Sequence, residues 1–490
     1  MIKAFASLAE RASAFIGSRS NFFRDVVVIL TGTVASRIIV LLAIPFLARI
    51  YTPAEFGVLA LFMTINAIII CVACGRYEMA VVLPREDRDS AHLLLACIGM
   101  ATLTSILTFV AFWVWAEDLT NLLGGKELAN WLWLSAAVIW SVSIFHALRS
   151  WATRKGVFTG ISRANVSGTA TTVTVQLVLG YVQKLGAGGL IIGQAVGQIV
   201  HFLVLLKEVA RGVVSSIGGR LSFSHMFGLL KRYRRFPIYD CGASLLNACS
   251  NELPVLMLGA FFSPMIAGYY AMSRRMLAMP MQVIGGSIAQ VFFPKAKQQL
   301  EKGKLDEFAS SIIKRLAVVG ITPMLLVTVS APELNAVVLG QAWIPASIYI
   351  QWISIWLLSA FITSPLMQLF YVLERQKERL IYQNVQMAVR FASLGYGGLQ
   401  DDPVLAVALF CISSAVVHYA NCIWILYRAG VQPSLTLRIL LGEFAKAIPF
   451  IVFVWFIKWF WGGNWLVIAA FITAGLAFLG FRLRDLFSRT

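Results

Sequence analysis

Long apolar stretches recur along almost the whole chain, separated by short polar segments rich in lysine and arginine. A membrane-spanning helix needs about 20 mostly apolar residues, and fourteen stretches meet that requirement. They lie at residues 26–48, 57–82, 91–115, 130–150, 166–183, 186–206, 236–260, 265–292, 312–339, 344–370, 380–398, 403–427, 441–461 and 464–481. Barrel strands are excluded because these runs are too long and continuous. The pattern predicts an all-α polytopic membrane protein with about 14 transmembrane helices.

The distribution of positive charge supports this assignment independently, because cytoplasmic loops of membrane proteins are rich in lysine and arginine. With the N-terminus inside, the predicted cytoplasmic segments hold 31 such residues and the outer segments hold 4. Both termini are therefore expected in the cytoplasm. The net charge of +18 follows this loop-by-loop alternation and does not cluster on one soluble domain. A nucleic-acid partner is therefore not expected.

A repeated motif divides the chain into two similar halves. Tyr51–Ala60 reads YTPAEFGVLA and Phe262–Ala271 reads FSPMIAGYYA, with a proline, a glycine and an alanine matched at one constant offset. Each half contains six predicted spans, an even number, so both halves enter the membrane from the same side as a parallel repeat. The predicted domains are a leader (1–23), a first lobe with helices 1–6 (24–208), a basic cytoplasmic linker (209–235), a second lobe with helices 7–12 (236–430), and two extra C-terminal helices with the tail (431–490).

The first 23 residues carry apolar side chains at helical spacing, which is typical of an amphipathic helix at the membrane surface. These side chains are Ile2, Phe5, Leu8, Ala12, Phe15 and Ile16. A partly ordered leader is the alternative, and Glu10, Arg11 and Arg19 exclude a cleaved signal sequence.

The seven cysteines all fall within apolar runs, where cysteine packs as a small hydrophobic residue. Cys71 and Cys74 have the spacing of a metal or redox motif, but no second pair accompanies them, so packing is the preferred interpretation. No glycine-rich phosphate loop is present. Neither a metal site nor a cofactor is expected.

Three segments together resemble a known family. RYRRFPIYDCGASLLNACSNELPVLMLGAFFSPMIAGYYAMSRRMLAMP (Arg232–Pro280) is similar to the midsection of the bacterial Wzx-type lipid-linked oligosaccharide flippases, which translocate O-antigen and exopolysaccharide units. YTPAEFGVLALF (Tyr51–Phe62) and GRYEMAVVLP (Gly75–Pro84) resemble the N-terminal half of the same family. The superfamily, called MOP, also holds multidrug and lipid II exporters. The similarity runs over most of Asn21–Asp485.

The resemblance implies a transporter in the bacterial inner membrane. Its cargo would be an undecaprenyl-diphosphate-linked glycan, carried to the periplasmic leaflet through a cavity between two lobes that open alternately. Besides this lipid-linked glycan and the bilayer, a polysaccharide polymerase or a chain-length regulator is an expected partner. The protein itself is not expected to be an enzyme.

Five arginines within the predicted spans are candidates for binding the anionic cargo: Arg37, Arg76, Arg274, Arg275 and Arg390. A charge at the bilayer centre costs roughly 2.5 to 3.5 kcal/mol, so a functional or paired role is the default. Arginine also suits a diphosphate, because its planar fork donates two hydrogen bonds to one phosphate. The family motif places its basic residue at Arg275, whereas Arg76 is as consistent with a structural pair to Glu78.

Acidic residues within the spans are fewer. Glu252 lies in the middle of a predicted span, two residues before Pro254. Asn247 and Asn251 lie close to it in the sequence and share one helix face, and both are further candidates for cargo binding. Glu252, and also Glu78, are candidates for coupling transport to a proton or cation, and a static ion pair is an equal alternative for Glu252. Asp240 is predicted to form an interfacial pair with Arg234 or Arg235.

Two other classes of protein are possible. A polysaccharide polymerase or ligase would be expected to present a sizeable outer loop with catalytic groups, whereas the outer segments here are short. A multidrug antiporter of the same superfamily would carry cationic or apolar cargo, and deep arginines disfavour cations by repulsion.

Overall fold

The computed structural model describes residues 21–217 and 222–487, which form helices and connecting turns with no β-strand among them. The helices are α1 (Asn21–Ile50), α2 (Pro53–Ala73), α3 (Asp87–Leu122), α4 (Leu134–Arg154), α5 (Phe158–Tyr181), α6 (Ala187–Ile217), α7 (Phe223–Arg232), α8 (Cys241–Phe261), α9 (Pro264–Glu301), α10 (Leu305–Val329), α11 (Ala331–Val338), α12 (Ala346–Thr363), α13 (Gln376–Leu399), α14 (Pro403–Arg428), α15 (Pro433–Trp461) and α16 (Asn464–Phe487). Shorter turns of helix lie at Tyr77–Val82, Lys126–Ala129, Phe236–Asp240, Gln341–Trp343, Pro365–Gln368 and Leu369–Val372.

The all-α membrane fold predicted from the sequence is confirmed. Within the described residues, each of the fourteen predicted runs overlaps one long helix; the run 312–339 also contains α11, and α7 lies outside all of the runs. Among residues 21–217 and 222–487, eight helical segments are long and apolar enough to cross a membrane. They are Thr31–Ile50, Pro53–Ala73, Asp87–Leu122, Ala187–Ile217, Leu305–Val329, Ala346–Val372, Pro403–Arg428 and Pro433–Trp461. The count of fourteen spans stays a prediction.

The repeated motif marks the start of a helix in both halves. In the first copy, Thr52 caps α2 by accepting a hydrogen bond from the backbone N–H of Glu55, and the Glu55 carboxylate accepts one from the Thr52 N–H at 2.7 Å. Proline at the first helical position fits, because its missing N–H would have no partner there. The matched proline of the second copy begins α9 in the same way.

The second helix ends earlier than its apolar run. Gly75 and Arg76 have φ values of 55° and 62°, in the left-handed region that stops an α-helix. A 3₁₀ turn at Tyr77–Val82 then completes the predicted span. Arg76 and Glu78 therefore lie beyond the end of α2, and the prediction that Arg76 sits inside the second helix is wrong.

The chain divides into two compact units, which meet in sequence at Pro264 and Met265. The seventh long helix, α8, packs against α2 and belongs to the first unit, whereas the predicted second lobe begins at residue 236. Much of the predicted linker 209–235 is helical, in the end of α6 and in α7. The predicted leader lies outside the described residues except for its last three positions.

The first unit is held together by close approaches between helices. A Cβ atom at Gly197 of α6 would lie 1.7 Å from Thr172 Oγ1 of α5, so only glycine permits this contact. Tyr51, which follows α1, donates a hydrogen bond to the carbonyl of Gln176 at 2.6 Å. Burial and the charge of Glu55 raise the pKa of Tyr51 to about 12, so the hydroxyl keeps its proton and remains a donor.

The second unit packs α10 against α12 and α15, and α14 against α12 and α13. The last two helices join it through small apolar side chains, with Val454 of α15 and Val467 of α16 fully buried near Leu326 of α10. Lys458 of α15 lies 2.9 Å from a Glu333 carboxylate oxygen of α11. The two helices outside the repeat are therefore an integral part of this unit.

Candidate functional site

The first cluster of charged side chains lies where α2 ends. Arg76 Nε donates to Asp240 Oδ2 at 2.7 Å, and another nitrogen of the same guanidinium lies 3.3 Å from Glu78 Oε1. Asp240 is in the turn that precedes α8, so this arginine connects the beginning of that helix to the end of α2. The pairing of Asp240 with Arg76 replaces the predicted pairing with Arg234 or Arg235.

The polar residues of α8 form a second group in the first unit. Thr64 Oγ1 of α2 donates a hydrogen bond to Glu252 Oε2 at 3.2 Å, and Asn251 donates to Asn247 Oδ1 at 3.4 Å. Asn247 is exposed, and Asn251 and Glu252 are partly exposed. The predicted amide face and the carboxyl therefore lie on an accessible part of this helix.

Arg37 lies near the middle of α1, and its side chain is exposed. It is 13 residues from the end of that helix, which corresponds to about 20 Å of helix at about 1.5 Å per residue. An exposed guanidinium at that depth would be costly in hydrocarbon. At that depth in a membrane, Arg37 would need water or an anionic partner.

The three remaining candidate arginines belong to the second unit, and the structure distinguishes among them. Arg390 of α13 is buried, with 4% of its surface exposed. Its guanidinium carbon lies 5.4 Å from the ring centre of Trp356 and 5.5 Å from that of Phe410. Its Nε donates a hydrogen bond to Ser414 Oγ at 3.4 Å. Arg274 acts on it electrostatically. Arg274 and Arg275 themselves are partly exposed. Arg390 thus lies within the packed interior of the unit, while its two companions remain accessible.

A buried polar network lies one turn of α13 before Arg390. His418 of α14 is within 2.8 Å of the Gln386 amide nitrogen, 3.1 Å of the Tyr382 hydroxyl and 3.3 Å of the Thr363 hydroxyl. The network connects α12, α13 and α14 through direct hydrogen bonds between side chains. Sequence reasoning missed it, because a single histidine in an apolar run gives no indication of its partners.

Sequence reasoning also missed Thr64, which is a threonine in a mostly apolar run and is 188 residues from Glu252. Among the described residues, no group of three histidine, cysteine, aspartate or glutamate side chains is placed to hold a metal ion. The candidate site is therefore a set of basic, amide and carboxyl groups. Such groups can bind phosphate and sugar oxygens and can exchange a proton.

The fold is similar to that of two membrane transporters of known structure. The lipid II flippase MurJ, in an inward closed conformation, matches with a TM-score of 0.74 over 94% of this chain and 99% of MurJ, at 13% sequence identity. A multidrug resistance MATE family transporter of the MOP superfamily matches with a TM-score of 0.56 over 80% of this chain and 94% of that one, also at 13% identity. At these identities the matches show a shared fold.

The family follows from the sequence match. The family model described as "Polysaccharide biosynthesis protein" matches residues 46–348, which is more than half of the chain, so the chain belongs to this family. The succinoglycan biosynthesis transport protein ExoT of Rhizobium meliloti (strain 1021) is 25% identical over 438 residues, covering 86% of this chain and 81% of ExoT. The resemblance inferred from the three sequence segments is thereby confirmed.

Proposed function

We propose that this protein flips an undecaprenyl-diphosphate-linked oligosaccharide, an O-antigen or exopolysaccharide repeat unit, from the cytoplasmic to the periplasmic leaflet of a bacterial inner membrane. Alternating access moves the cargo, and an ion gradient drives the cycle. Support comes from the family, from the relative named as a succinoglycan transport protein and from the fold shared with a lipid II flippase. These relatives favour a transporter over a polymerase or ligase.

One observation contributes most to this proposal: Arg37 is exposed in the middle of a helix that is long and apolar enough to cross the membrane. A guanidinium needs water or an anion at that depth. A diphosphate and a polar glycan need the same hydrated, basic path, because neither crosses hydrocarbon unaided. A cationic drug would be repelled by such a path.

Glu252 is the proposed coupling group, with Glu78 as the second candidate. Its carboxyl is partly exposed on α8, accepts a hydrogen bond from Thr64 and lies one residue from the Asn251 amide. A carboxyl in such a place can be protonated in one state of the cycle and ionised in another. Asn247 and Asn251 provide hydrogen-bonding groups for sugar hydroxyls on the same helix.

The first test changes two of the accessible arginines. Arg37→Gln and Arg275→Gln, made singly, are each expected to abolish surface glycan while the protein remains at its normal level in the membrane, because the Arg37 side chain is exposed and the Arg275 side chain is partly exposed, so the diphosphate can reach both. Lysine at either position should rescue only in part, since it lacks the bidentate fork. The measurement is surface glycan by immunoblot or gel in a strain that depends on this gene.

Arg211→Gln, a change of an exposed arginine near the cytoplasmic end of α6, is the matched control and should leave the glycan unchanged. Normal surface glycan in both glutamine variants would refute the assignment of an anionic cargo to these arginines.

A further inference from the structure

The cytoplasmic half of α4 exposes a polar stripe that the candidate site does not include. His146, Arg149 and Thr153 follow one another at helical spacing and are all exposed, while Ala147, Leu148, Trp151 and Ala152 are buried. Residues three and four apart share one face of a helix. The basic side chains of His146 and Arg149 therefore point to the same side.

The neighbouring helix shows what a lipid-facing stripe looks like in this protein. α3 exposes Leu103, Ile106, Leu107 and Val110, all of them apolar. Helix faces in contact with hydrocarbon are apolar, and charged side chains turn towards the protein interior or water. The polar stripe of α4 thus faces water or a bound polar group.

The end of α2 brings Arg76 to the same place. Cys74 Sγ lies 3.8 Å from the Ser143 carbonyl oxygen, one turn of α4 before His146. The left-handed turn at Gly75 and Arg76 follows directly. The charges of Arg149 and Arg76 both act on the His146 ring. Two guanidinium groups and an imidazole are therefore grouped near the predicted cytoplasmic end of the first unit.

The two arginines of this group differ in their ion pairs. Arg76 is paired with Asp240 and Glu78, but within residues 21–217 and 222–487 no carboxylate forms an ion pair with Arg149. An arginine fork and an imidazole N–H can together donate to several oxygens of one phosphate group. A phosphate group could therefore supply Arg149 with the ion pair that the described carboxylates do not provide.

We infer that His146 and Arg149, beside Arg76, form an entry subsite that binds the diphosphate of the lipid carrier when cargo is taken up from the cytoplasmic leaflet. This inference rests on the proposed function. It adds two residues of α4 to the cargo path and places the first contact with cargo on the cytoplasmic side. Anionic phospholipid headgroups offer similar phosphate chemistry, so the experiment has to separate the two sources.

The test is equilibrium binding of undecaprenyl diphosphate to the purified full-length protein in detergent, followed by native mass spectrometry or by a fluorescent analogue of this lipid. Arg149→Gln should weaken binding about tenfold, the effect of losing one charge-assisted contact. His146→Ala should weaken it less, and Arg149→Lys should lie between wild type and glutamine. Arg211→Gln is the matched control and should bind like the wild type. Excess phosphatidylglycerol should not displace the diphosphate lipid.

The possible failures have different meanings. If wild type binds undecaprenyl diphosphate and Arg149→Gln binds it equally well, the entry subsite is refuted and the proposed function stands. If phosphatidylglycerol competes as effectively as the diphosphate lipid, the site is a headgroup site and the inference is equally refuted. If the wild type itself binds no diphosphate lipid, the proposed function fails. A thermal unfolding curve for each variant identifies any loss of fold, and Arg149→Lys, which keeps the charge, then provides the decisive comparison.

Discussion

Replacing Arg76 with glutamine is expected to reduce the amount of folded protein in the membrane several-fold. The side chain of Glu78 is only 10% exposed, and the change would leave it without its guanidinium partner. It would also remove the 2.7 Å contact to Asp240 that joins the end of α2 to the beginning of α8. Breaking a buried pair from one side typically costs about 3 to 5 kcal/mol. Membrane fractions analysed by immunoblot and by fluorescence-detected size exclusion give the measurement.

Two further variants test whether the loss of Arg76→Gln protein comes from the broken ion pair. Arg76→Gln combined with Glu78→Gln should restore much of the protein level, because the double variant no longer has a Glu78 carboxylate without its arginine partner. Arg163→Gln breaks an exposed pair with Glu208 and should change the level little, since surface pairs are worth about 0 to 1 kcal/mol. A normal amount of Arg76→Gln protein that exports no glycan would contradict the structural role and assign Arg76 to the cargo.

Changing Glu252 to glutamine is expected to remove the dependence of transport on a pH gradient. Glutamine keeps the shape of the glutamate side chain and can still contact Thr64, but it cannot gain or lose a proton in the pH range of the experiment. In vesicles containing the purified variant, the lipid-linked glycan should still bind, while an imposed pH gradient should no longer accelerate its movement.

Glu443→Gln is the matched control for this experiment. Glu443 is a buried carboxylate of α15 that pairs with Lys446 at 2.7 Å in the second unit, so its loss should leave the gradient dependence in place. If the Glu252 variant keeps its gradient dependence, Glu252 is a structural group and the coupling site lies elsewhere, with Glu78 as the next candidate to change.

Helix positions could be predicted from the sequence because the length and hydrophobicity of a run are local properties of the chain. The end of α2 was one exception, although Gly75 within CGRYE gave a local signal that the helix stops there. The contacts of the candidate site could not be predicted in this way. Arg76 and Asp240 are 164 residues apart, and only the packing of α8 against α2 brings them together.

The burial of the arginine side chains could not be predicted from the hydrophobic pattern of the sequence either. Arg37 and Arg390 both read as single arginines in the middle of an apolar run, yet the first is exposed and the second is packed between Trp356 and Phe410. The sequence has aromatic residues throughout its spans, so no spacing rule indicates which of them will surround a charge. The structure separates an accessible arginine from an interior one, which is why the export test uses Arg37 and Arg275.

The central proposal is that the protein moves a diphosphate-linked glycan lipid from one leaflet to the other. The most direct measurement reconstitutes the purified protein in vesicles that contain a short lipid-linked oligosaccharide and follows the fraction accessible to a glycosidase added outside. With active protein, the accessible fraction should rise from about half to nearly all of the lipid, whereas empty vesicles and those with Arg37→Gln protein should stay near half. An accessible fraction that stays at half with folded wild-type protein, with and without an ion gradient, would contradict the proposal.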